Sequence, residues 1–332
     1  MAQDLVVINV GGIHRTSSGV TLPAILTPDP RTAERVLDFF TANIRNPNTR
    51  KAYARAVASF ARWCERHQIG ELQAVRPIHI ATYIEELQAP RSPDDTPLSA
   101  PSVKQQLAAI RMLFDWLIVG QIVPTNPASA VRGPKHAVKK GKTPVLSSDE
   151  ARTLLDSIDI ATLAGLRDRA LIALLVYTFA RVGAAVKMRL EDVYPQGKRT
   201  WVRLHEKGGK RHDMPCHHTL DAYLESFLEH HSADRKTWLF PSLAGRTGEF
   251  TDQPMKPVDV WRMIRRRALA ADIPTAIGCH TFRATGITEY LRNGGKLEIA
   301  QQMANHESAR TTGLYDRRND QVSLDEVERI LI

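Results

Sequence analysis

Cysteine is scarce in this 332-residue chain: Cys64, Cys216 and Cys279 are far apart, with no Cys-x-x-Cys pair among them. That excludes a disulfide framework and a zinc ribbon, and it fits a reducing, cytosolic compartment. Long apolar runs are missing too. Leu5 to Val10 has no basic stretch ahead of it and is far too short to span a bilayer. Neither a signal peptide nor a membrane span is expected, and the protein is expected inside the cell. There are no internal repeats and no low-complexity tracts, and the composition is neither collagen-like nor that of a coiled-coil rod. Acid is in short supply: 36 Asp+Glu stand against 45 Lys+Arg, a net charge of +9. Such a surplus favours a polyanionic partner, nucleic acid ahead of a membrane surface. Apolar residues at 43% are enough for packed cores, and the length suits about two domains of roughly 100–200 residues.

Residues 1–31 are turn-rich, with Gly11-Gly12, Pro23, Pro28 and Pro30, and read as an N-terminal arm with at most one short strand. From Thr32 the spacing is helical. Val36, Phe39 and Phe40 open it, and Asn48-Thr49 offers a cap for a stripe of Tyr53, Val57, Phe60 and Cys64. Further helices carry Ile80, Tyr83, Ile84 and Leu87, then Val103, Leu107, Ile110, Phe114 and Leu117, with a proline-rich loop from Gln88 to Pro101 between them. Residues 32–131 are therefore expected to form a four-helix bundle. Residues 132–144 lack apolar periodicity and hold five Lys/Arg, which marks a basic linker and a domain boundary. Its Lys139 and Lys140 read either as a phosphate clamp or as plain solvated linker. Residues 1–143 hold 18 basic and 11 acidic side chains against 27 and 25 in the rest, so the smaller domain carries most of the surplus.

Residues 145–332 read as mainly helical with one small sheet. A helix starts at Ser147-Ser148-Asp149-Glu150, and an apolar helix runs from about Arg167 to Thr178. A hairpin spans Thr200 to Cys216 around Lys-Gly-Gly-Lys. Helices follow at about 218–230, 257–271, 281–293 and 296–304.

Six residues of this domain form a chemically coherent set: Arg181, Lys207, His280, Arg283, His306 and Tyr315. His280 and Arg283 share one helical face at i, i+3 spacing. Two guanidiniums can clamp the non-bridging oxygens of one phosphodiester. Phosphoryl transfer needs mostly positioning and charge stabilisation, a tyrosine hydroxyl can be its nucleophile, and a lysine or histidine can protonate the leaving oxygen. Basic side chains take the place of metal ions here, so neither metal nor cofactor is expected.

The segments Phe179-Ala180-Arg181-Val182-Gly183, Glu206 to Arg211, His280-Thr281-Phe282-Arg283-Ala284-Thr285 and His306 to Tyr315 resemble the four signature boxes of the tyrosine recombinases, the phage-integrase family. Trp238 to Ser242 resembles another family segment. The N-terminal bundle is similar to the family's core-binding, SAM-like domain, and the likeness runs over about residues 34–332. It implies the tyrosine-recombinase fold, a mainly α bundle followed by a mixed α/β catalytic domain with a small antiparallel sheet. By position it implies that Tyr315 attacks the scissile phosphate and holds a 3′-phosphotyrosyl link. Arg181 and Arg283 would clamp the phosphate, Lys207 would protonate the 5′ oxygen, His280 would assist proton transfer at the tyrosine, and His306 would bond a non-bridging oxygen. Two positions depart from the family. The acid often found three residues after the first arginine is Ala184, so support for the site must come from elsewhere. The residue before the late histidine, commonly glycine, is Asn305, which also tolerates a left-handed backbone.

Taken singly, each residue has a duller explanation. Arg181 could complement a helix dipole. Lys207 could be a solvated turn lysine, with Lys210 competing for its role. Either histidine could be structural, and Tyr315 could be half-buried with a wet hydroxyl. Cys216-His217-His218 and His230-His231 would lie about 20 Å apart along a helix, which argues against a metal site. Gly208-Gly209-Lys210 lacks the spacing of a phosphate loop. The basic runs at Arg50-Lys51 and Arg262 to Arg267 (Arg265 and Arg266 above all), with Lys210, are expected to contact duplex DNA. The tail, Ser323 to Ile332, places Leu324, Val327, Ile330 and Leu331 at helical spacing. A helix that short must dock, on its own domain or on a neighbouring subunit, and the resemblance implies exchange within a tetramer on two DNA sites.

The expected function is site-specific recombination through a Holliday junction, with a mobile element as the setting. A nucleoid-associated location and accessory DNA-bending proteins accompany that reading. A type IB topoisomerase-like relaxing activity and a non-catalytic DNA-binding protein are the alternatives.

Overall fold

A computed structural model describes residues 14–15, 21–90, 96–136, 141–206, 209–231, 234–245 and 247–316. Most of the N-terminal arm, Lys139, Lys140, Lys207 and the tail helix at 323–332 lie outside these residues. The chain divides into two compact units, Met1–Ala137 and Val138–Ile332.

The first unit holds a two-residue strand pair, β1 (His14–Arg15) and β2 (Thr21–Leu22), and four α-helices: α1 (Pro30–Asp38), α2 (Pro47–Arg66), α3 (Pro77–Glu86) and α4 (Ala100–Val119). Asp29 caps α1 by accepting from the Thr32 amide and hydroxyl, with Pro30 opening the helix. The chain then continues through one π-helical segment, Phe39–Asn43, which buries Phe39 and Phe40. The cap of α2 is Asn46, two residues ahead of the expected one. Its Oδ1 accepts from the amides of Asn48 and Thr49, and Pro47, whose missing N–H costs nothing at a helix start, follows it. Pro101 likewise stands inside the first turn of α4 rather than in the loop before it. Val57, Phe60, Tyr83, Leu107 and Phe114 form the centre of the core. The Tyr83 hydroxyl reaches Ser59 Oγ and Gln106 Oε1, so its polar tip is satisfied within the bundle.

The second unit is built around one buried helix. Its α5 (Ser148–Asp156) begins with a capping box between Ser147 and Glu150. Next comes α6 (Leu163–Tyr177), which starts earlier than its apolar run implies because Thr162 caps it. From Ala170 to Leu175 every residue of α6 is buried, as befits a helix packed on all sides. A short α7 (Val182–Ala185) leads to a three-stranded antiparallel sheet of β3 (Val193–Gln196), β4 (Arg199–His205) and β5 (Arg211–Pro215), in that order. The expected hairpin is β4–β5. The extra strand, β3, contains Pro195, which only an edge position tolerates. Val193, Val202, Leu204 and Met214 turn inward from this sheet. After α8 (His218–Leu228), β6 (Pro241–Leu243) and β7 (Phe250–Pro254) form a second hairpin where one sheet was expected. The unit continues with α9 (Pro257–Ala270), α10 (Cys279–Arg292), α11 (Leu297–Met303) and α12 (Ala309–Gly313).

Two features lock α6 against the later helices. Gly286 of α10 lets that helix approach closely: a Cβ there would strike the Val176 carbonyl and come within 2.7 Å of the Phe179 ring. Asp168, fully buried, takes two nitrogens of Arg167 on one carboxylate oxygen, while Arg267 Nε and Nη2 reach the other at 3.1 and 2.8 Å. Arg267 therefore belongs to a buried ion network and not to the open basic face of α9. Arg265 and Arg266 remain exposed.

Candidate active site

Helix α10 supplies two side chains from its first turn and a third handle further along. His280 and Arg283 stand three residues apart, as their spacing requires. Arg283 is 1% exposed. Its Nη1 donates to the Phe179 carbonyl and its Nη2 to the Ala304 carbonyl. Phe179 holds the left-handed backbone (φ 53°) at the turn after α6 and aims its carbonyl at Arg283. The buried Nε–H of Arg283 has no hydrogen-bond partner among the described residues. A buried donor left open in this way is costly unless a ligand satisfies it.

Tyr315 comes two residues after α12. Its amide donates to Thr312 O at 2.9 Å, and its carbonyl accepts from Thr288 Oγ1 of α10 at 3.0 Å. The backbone of the tyrosine is thus tied to the helix that carries His280 and Arg283. Its hydroxyl lies 2.6 Å from His280 Nε2. On the other side the ring stacks on His306, with centroids 5.8 Å apart and planes at 9°. His306 follows Asn305, which adopts the left-handed conformation (φ 48°) that its residue type tolerates. His306 Nδ1 pairs with Thr312 Oγ1 at 2.9 Å, and Thr312 is fully buried.

Arg181 caps the N-terminus of α7, so it does not complement a helix dipole. Its Nη1 meets Glu206 Oε2 at 2.6 Å. The Glu206 side chain is 4% exposed against 42% for the arginine. Glu206 directly follows β4, and its amide closes the hairpin onto the Lys210 carbonyl at 2.8 Å. A cleft of about 580 Å³ opens here, lined by Arg181, Glu206, Lys210, His306 and Glu307 among others. Lys210 Nζ bonds Glu307 Oε1 at 3.0 Å at its exposed rim.

The electrostatics join these groups. Burial, then the charges of Arg283 and Arg181, lower His306 from 6.5 to about 3, so its imidazole is neutral. Partial loss of water and the same two guanidiniums lower His280. Burial raises Tyr315 above 10.0, while Arg283 and Arg181 pull against that rise. Arg283 itself is lowered to about 10, chiefly by burial and then by Arg181. An imidazole nitrogen faces the hydroxyl of a buried phenol at hydrogen-bond distance in a field of two guanidiniums. That arrangement suits a nucleophile acting on an anion.

Of the six sequence-derived site residues, five meet in this one place: Arg181, His280, Arg283, His306 and Tyr315. Lys207 lies outside the described residues. Among the residues expected to touch DNA, Lys51, Lys210, Arg265 and Arg266 are exposed. Arg50 spends Nε and Nη2 on the Ile44 carbonyl, closing the turn ahead of α2. The sequence reading passed over Glu206, Thr288 and Thr312. Glu206 carried a signal, an acid set inside a basic turn; the two threonines carried none. Among the described residues there is no cluster of His, Cys, Asp and Glu able to hold a metal ion, and no helix is long and apolar enough to cross a membrane.

Comparison with known proteins places residues 144–322 on the pattern described as the phage integrase family, and residues 40–120 on the phage integrase N-terminal SAM-like domain. The tyrosine recombinase XerD of Staphylococcus saprophyticus is 27% identical over 275 residues, 81% of this chain and 87% of the relative. The XerD of Chlorobaculum tepidum is 26% identical over 306 residues, 89% and 94% of the two chains. Among solved structures, the XerH site-specific recombinase bound to palindromic difH substrate, a post-cleavage complex, superposes with a TM-score of 0.65. That match has 15% identity and covers 93% of this chain and 90% of the other.

Proposed function

The chain belongs to the phage integrase family, the tyrosine recombinases, and from that premise we propose that it cuts and rejoins duplex DNA at specific sites through a covalent bond to Tyr315. The observation that carries this reading is the cluster of a phenol, a neighbouring imidazole and two arginines beside a cleft that Arg181 and His306 help to line, with the buried Nε–H of Arg283 lacking a partner among the described residues. A non-bridging phosphate oxygen fits that donor, and Arg181 at the rim meets the other face of the same group. As the Tyr315 oxygen bonds to phosphorus, its proton passes to His280 Nε2. The bond to the 5′ oxygen breaks, and that oxygen takes a proton from a cationic side chain; position in the family's second box makes Lys207 that donor. His306, neutral and stacked on the tyrosine, offers a nitrogen to a non-bridging oxygen.

The phosphodiester energy is kept in the 3′-phosphotyrosyl link, so a 5′ hydroxyl from a second duplex can reverse the reaction without ATP. Two such exchanges pass through a four-way Holliday junction. This chemistry rests on positioning and charge, and basic side chains supply what metal ions supply elsewhere.

In this reading the helical unit of residues 32–131 grips one side of the duplex, the basic linker 132–144 follows the backbone, and residues 145–332 hold the other side. The tail at 323–332 docks on a neighbouring subunit in a tetramer bound to two DNA sites. An apolar cavity of about 930 Å³, lined by Val176, Phe179, Trp201, Met214 and Tyr290 among others, supports that assignment by offering a seat of matching chemistry. The setting is a mobile element inside the cell. The test is a nicked duplex drawn from the DNA that flanks the gene, whose short cleaved strand diffuses away and prevents rejoining. A covalent protein–DNA adduct is expected with the wild type and none with Tyr315→Phe. Adduct formation by Tyr315→Phe, or its complete absence with the wild type, would overturn the proposal.

A further inference from the structure

Arg181 stands at the rim of the cleft with 42% of its side chain exposed. Long side chains at such positions sample several rotamers unless something holds them. The helix it caps cannot hold it: α7 is Val182, Gly183, Ala184 and Ala185, with no acid in it. The one ion pair that Arg181 makes among the described residues is with Glu206. That carboxylate is almost wholly buried, beside a site whose ligand is itself an anion. Taking a carboxylate out of water next to a phosphate site is doubly unfavourable unless it does something for the cations there.

The local geometry shows what it can do. Glu206 is fixed at the backbone, because its amide closes the β4–β5 hairpin on Lys210 O at 2.8 Å. Its carboxylate takes a single nitrogen, Nη1, at 2.6 Å. A guanidinium carries five N–H groups on three nitrogens, so one nitrogen is anchored and the rest stay available to the cleft. Glu206 also acts electrostatically on Arg283, where it opposes the repulsion from Arg181. It is therefore a counter-ion shared by two like charges that must sit close together before any DNA arrives.

We propose that Glu206 is the positioning residue of the phosphate clamp: its ion pair holds Arg181 in the cleft beside Arg283, ready for the phosphate, in place of an acid that α7 lacks. This rests on reading the site as a phosphoryl-transfer centre. The competing role is that of a placeholder, a carboxylate that occupies Arg181 until phosphate displaces it. The two predict opposite effects. A positioning residue speeds cleavage at saturating DNA, whereas a placeholder slows it.

The experiment compares wild type, Glu206→Ala and Glu206→Gln in single-turnover cleavage of the nicked flanking-DNA duplex, with DNA affinity measured alongside. Glu206→Ala is expected to cleave about 10- to 100-fold more slowly at saturating DNA, since a misplaced clamp loses rate on that order. Its DNA affinity stays at or above that of wild type, because a negative charge has gone. Glu206→Gln keeps a hydrogen-bond acceptor for Nη1 at nearly the same volume, guards against loss of fold, and is expected to recover about tenfold of that rate. Both variants remove the negative charge that offsets Arg181 and Arg283, the two cations that lower His280, so the pH of half-maximal cleavage moves down in both. Cleavage by Glu206→Ala at or above the wild-type rate would overturn the proposal in favour of the placeholder. Glu206→Gln as slow as Glu206→Ala, with an unmoved pH profile, would reduce Glu206 to a structural part. A wild type that forms no adduct at all would instead overturn the phosphoryl-transfer reading, and this inference with it.

Discussion

The hydroxyl of Tyr315 and Nε2 of His280 lie 2.6 Å apart, although 35 positions separate the two residues in the sequence. The contact depends on a second tether, since Thr288 Oγ1 on the same helix as His280 holds the Tyr315 carbonyl. One helix therefore fixes both the backbone of the tyrosine and the acceptor for its proton.

If His280 takes the phenolic proton, His280→Ala slows cleavage by about 100-fold or more at neutral pH, the usual scale for a general base. Its DNA affinity is unchanged. The pH dependence follows from the signs of the shifts. His280 is lowered from 6.5 by partial burial and two arginines, so it is already unprotonated at neutral pH. The acid limb of the wild-type rate therefore lies at a lower pH than an ordinary imidazole would set. In His280→Ala the rate climbs with pH towards the ionisation of Tyr315 itself. A single-turnover rate profile from pH 5 to 9 checks both limbs.

Thr312→Val tests the neighbour of the other histidine. Valine keeps the volume of this fully buried threonine but strips His306 Nδ1 of its partner. About 1–3 kcal/mol is at stake when a buried polar atom loses its partner, and the imidazole loses the contact that fixes its tautomer. Cleavage is expected to drop about tenfold, and Thr312→Ser, which keeps the hydroxyl, to stay near wild type. Equal rates for all three would remove Thr312 from the site's machinery.

His306 also ties stability to pH. Its folded-state pKa of about 3 lies below its unreacted value of 6.5. Between those limits the unfolded chain binds a proton that the folded chain refuses. Stability is therefore complete above pH 6.5 and is lost as pH falls towards 3, at up to about 1.4 kcal/mol per pH unit for one proton. Denaturant melts from pH 7.5 to 4 are expected to show the fall, and a smaller fall in His306→Gln.

Asp168 is expected to matter for folding and not for chemistry. It is wholly buried between Arg167 and Arg267, so Asp168→Ala strands two cations in a dry interior. Removal of one partner from such a network costs about 3–5 kcal/mol. Asp213→Ala breaks the half-exposed pair with Arg203 and is expected to cost about 1 kcal/mol or less. Thermal melts of the two variants make the comparison.

The sequence carried much of this. Helices α2, α3, α4, α8, α9 and α11 announce themselves by apolar spacing, because each buries one face, whereas α10 is buried on all sides from Thr281 to Thr288. The exceptions have physical causes. Pro195 disguised the edge strand β3, and Pro241 and Pro254 bracket a hairpin whose short strands show little alternation. Thr162 started α6 before its apolar run did, and Asn46 captured a helix start two residues ahead of Asn48. Within the site, residue type and order singled out Arg181, His280, Arg283, His306 and Tyr315. Glu206 stood out as an acid in a basic turn, but its partner Arg181 lies 25 residues away, and Thr312 meets His306 only once the six-residue turn between them has folded. Arg267 was misread for the same reason: its partner lies 99 residues away on α6.

The central claim is that Tyr315 becomes the covalent link, and peptide mapping of the trapped adduct tests it most directly. After digestion of protein and DNA, mass spectrometry is expected to find a nucleoside 3′-phosphate on the peptide that contains Tyr315, formed equally well with a metal chelator present. The same phosphate on any other residue, or an adduct that the chelator abolishes, would contradict the account.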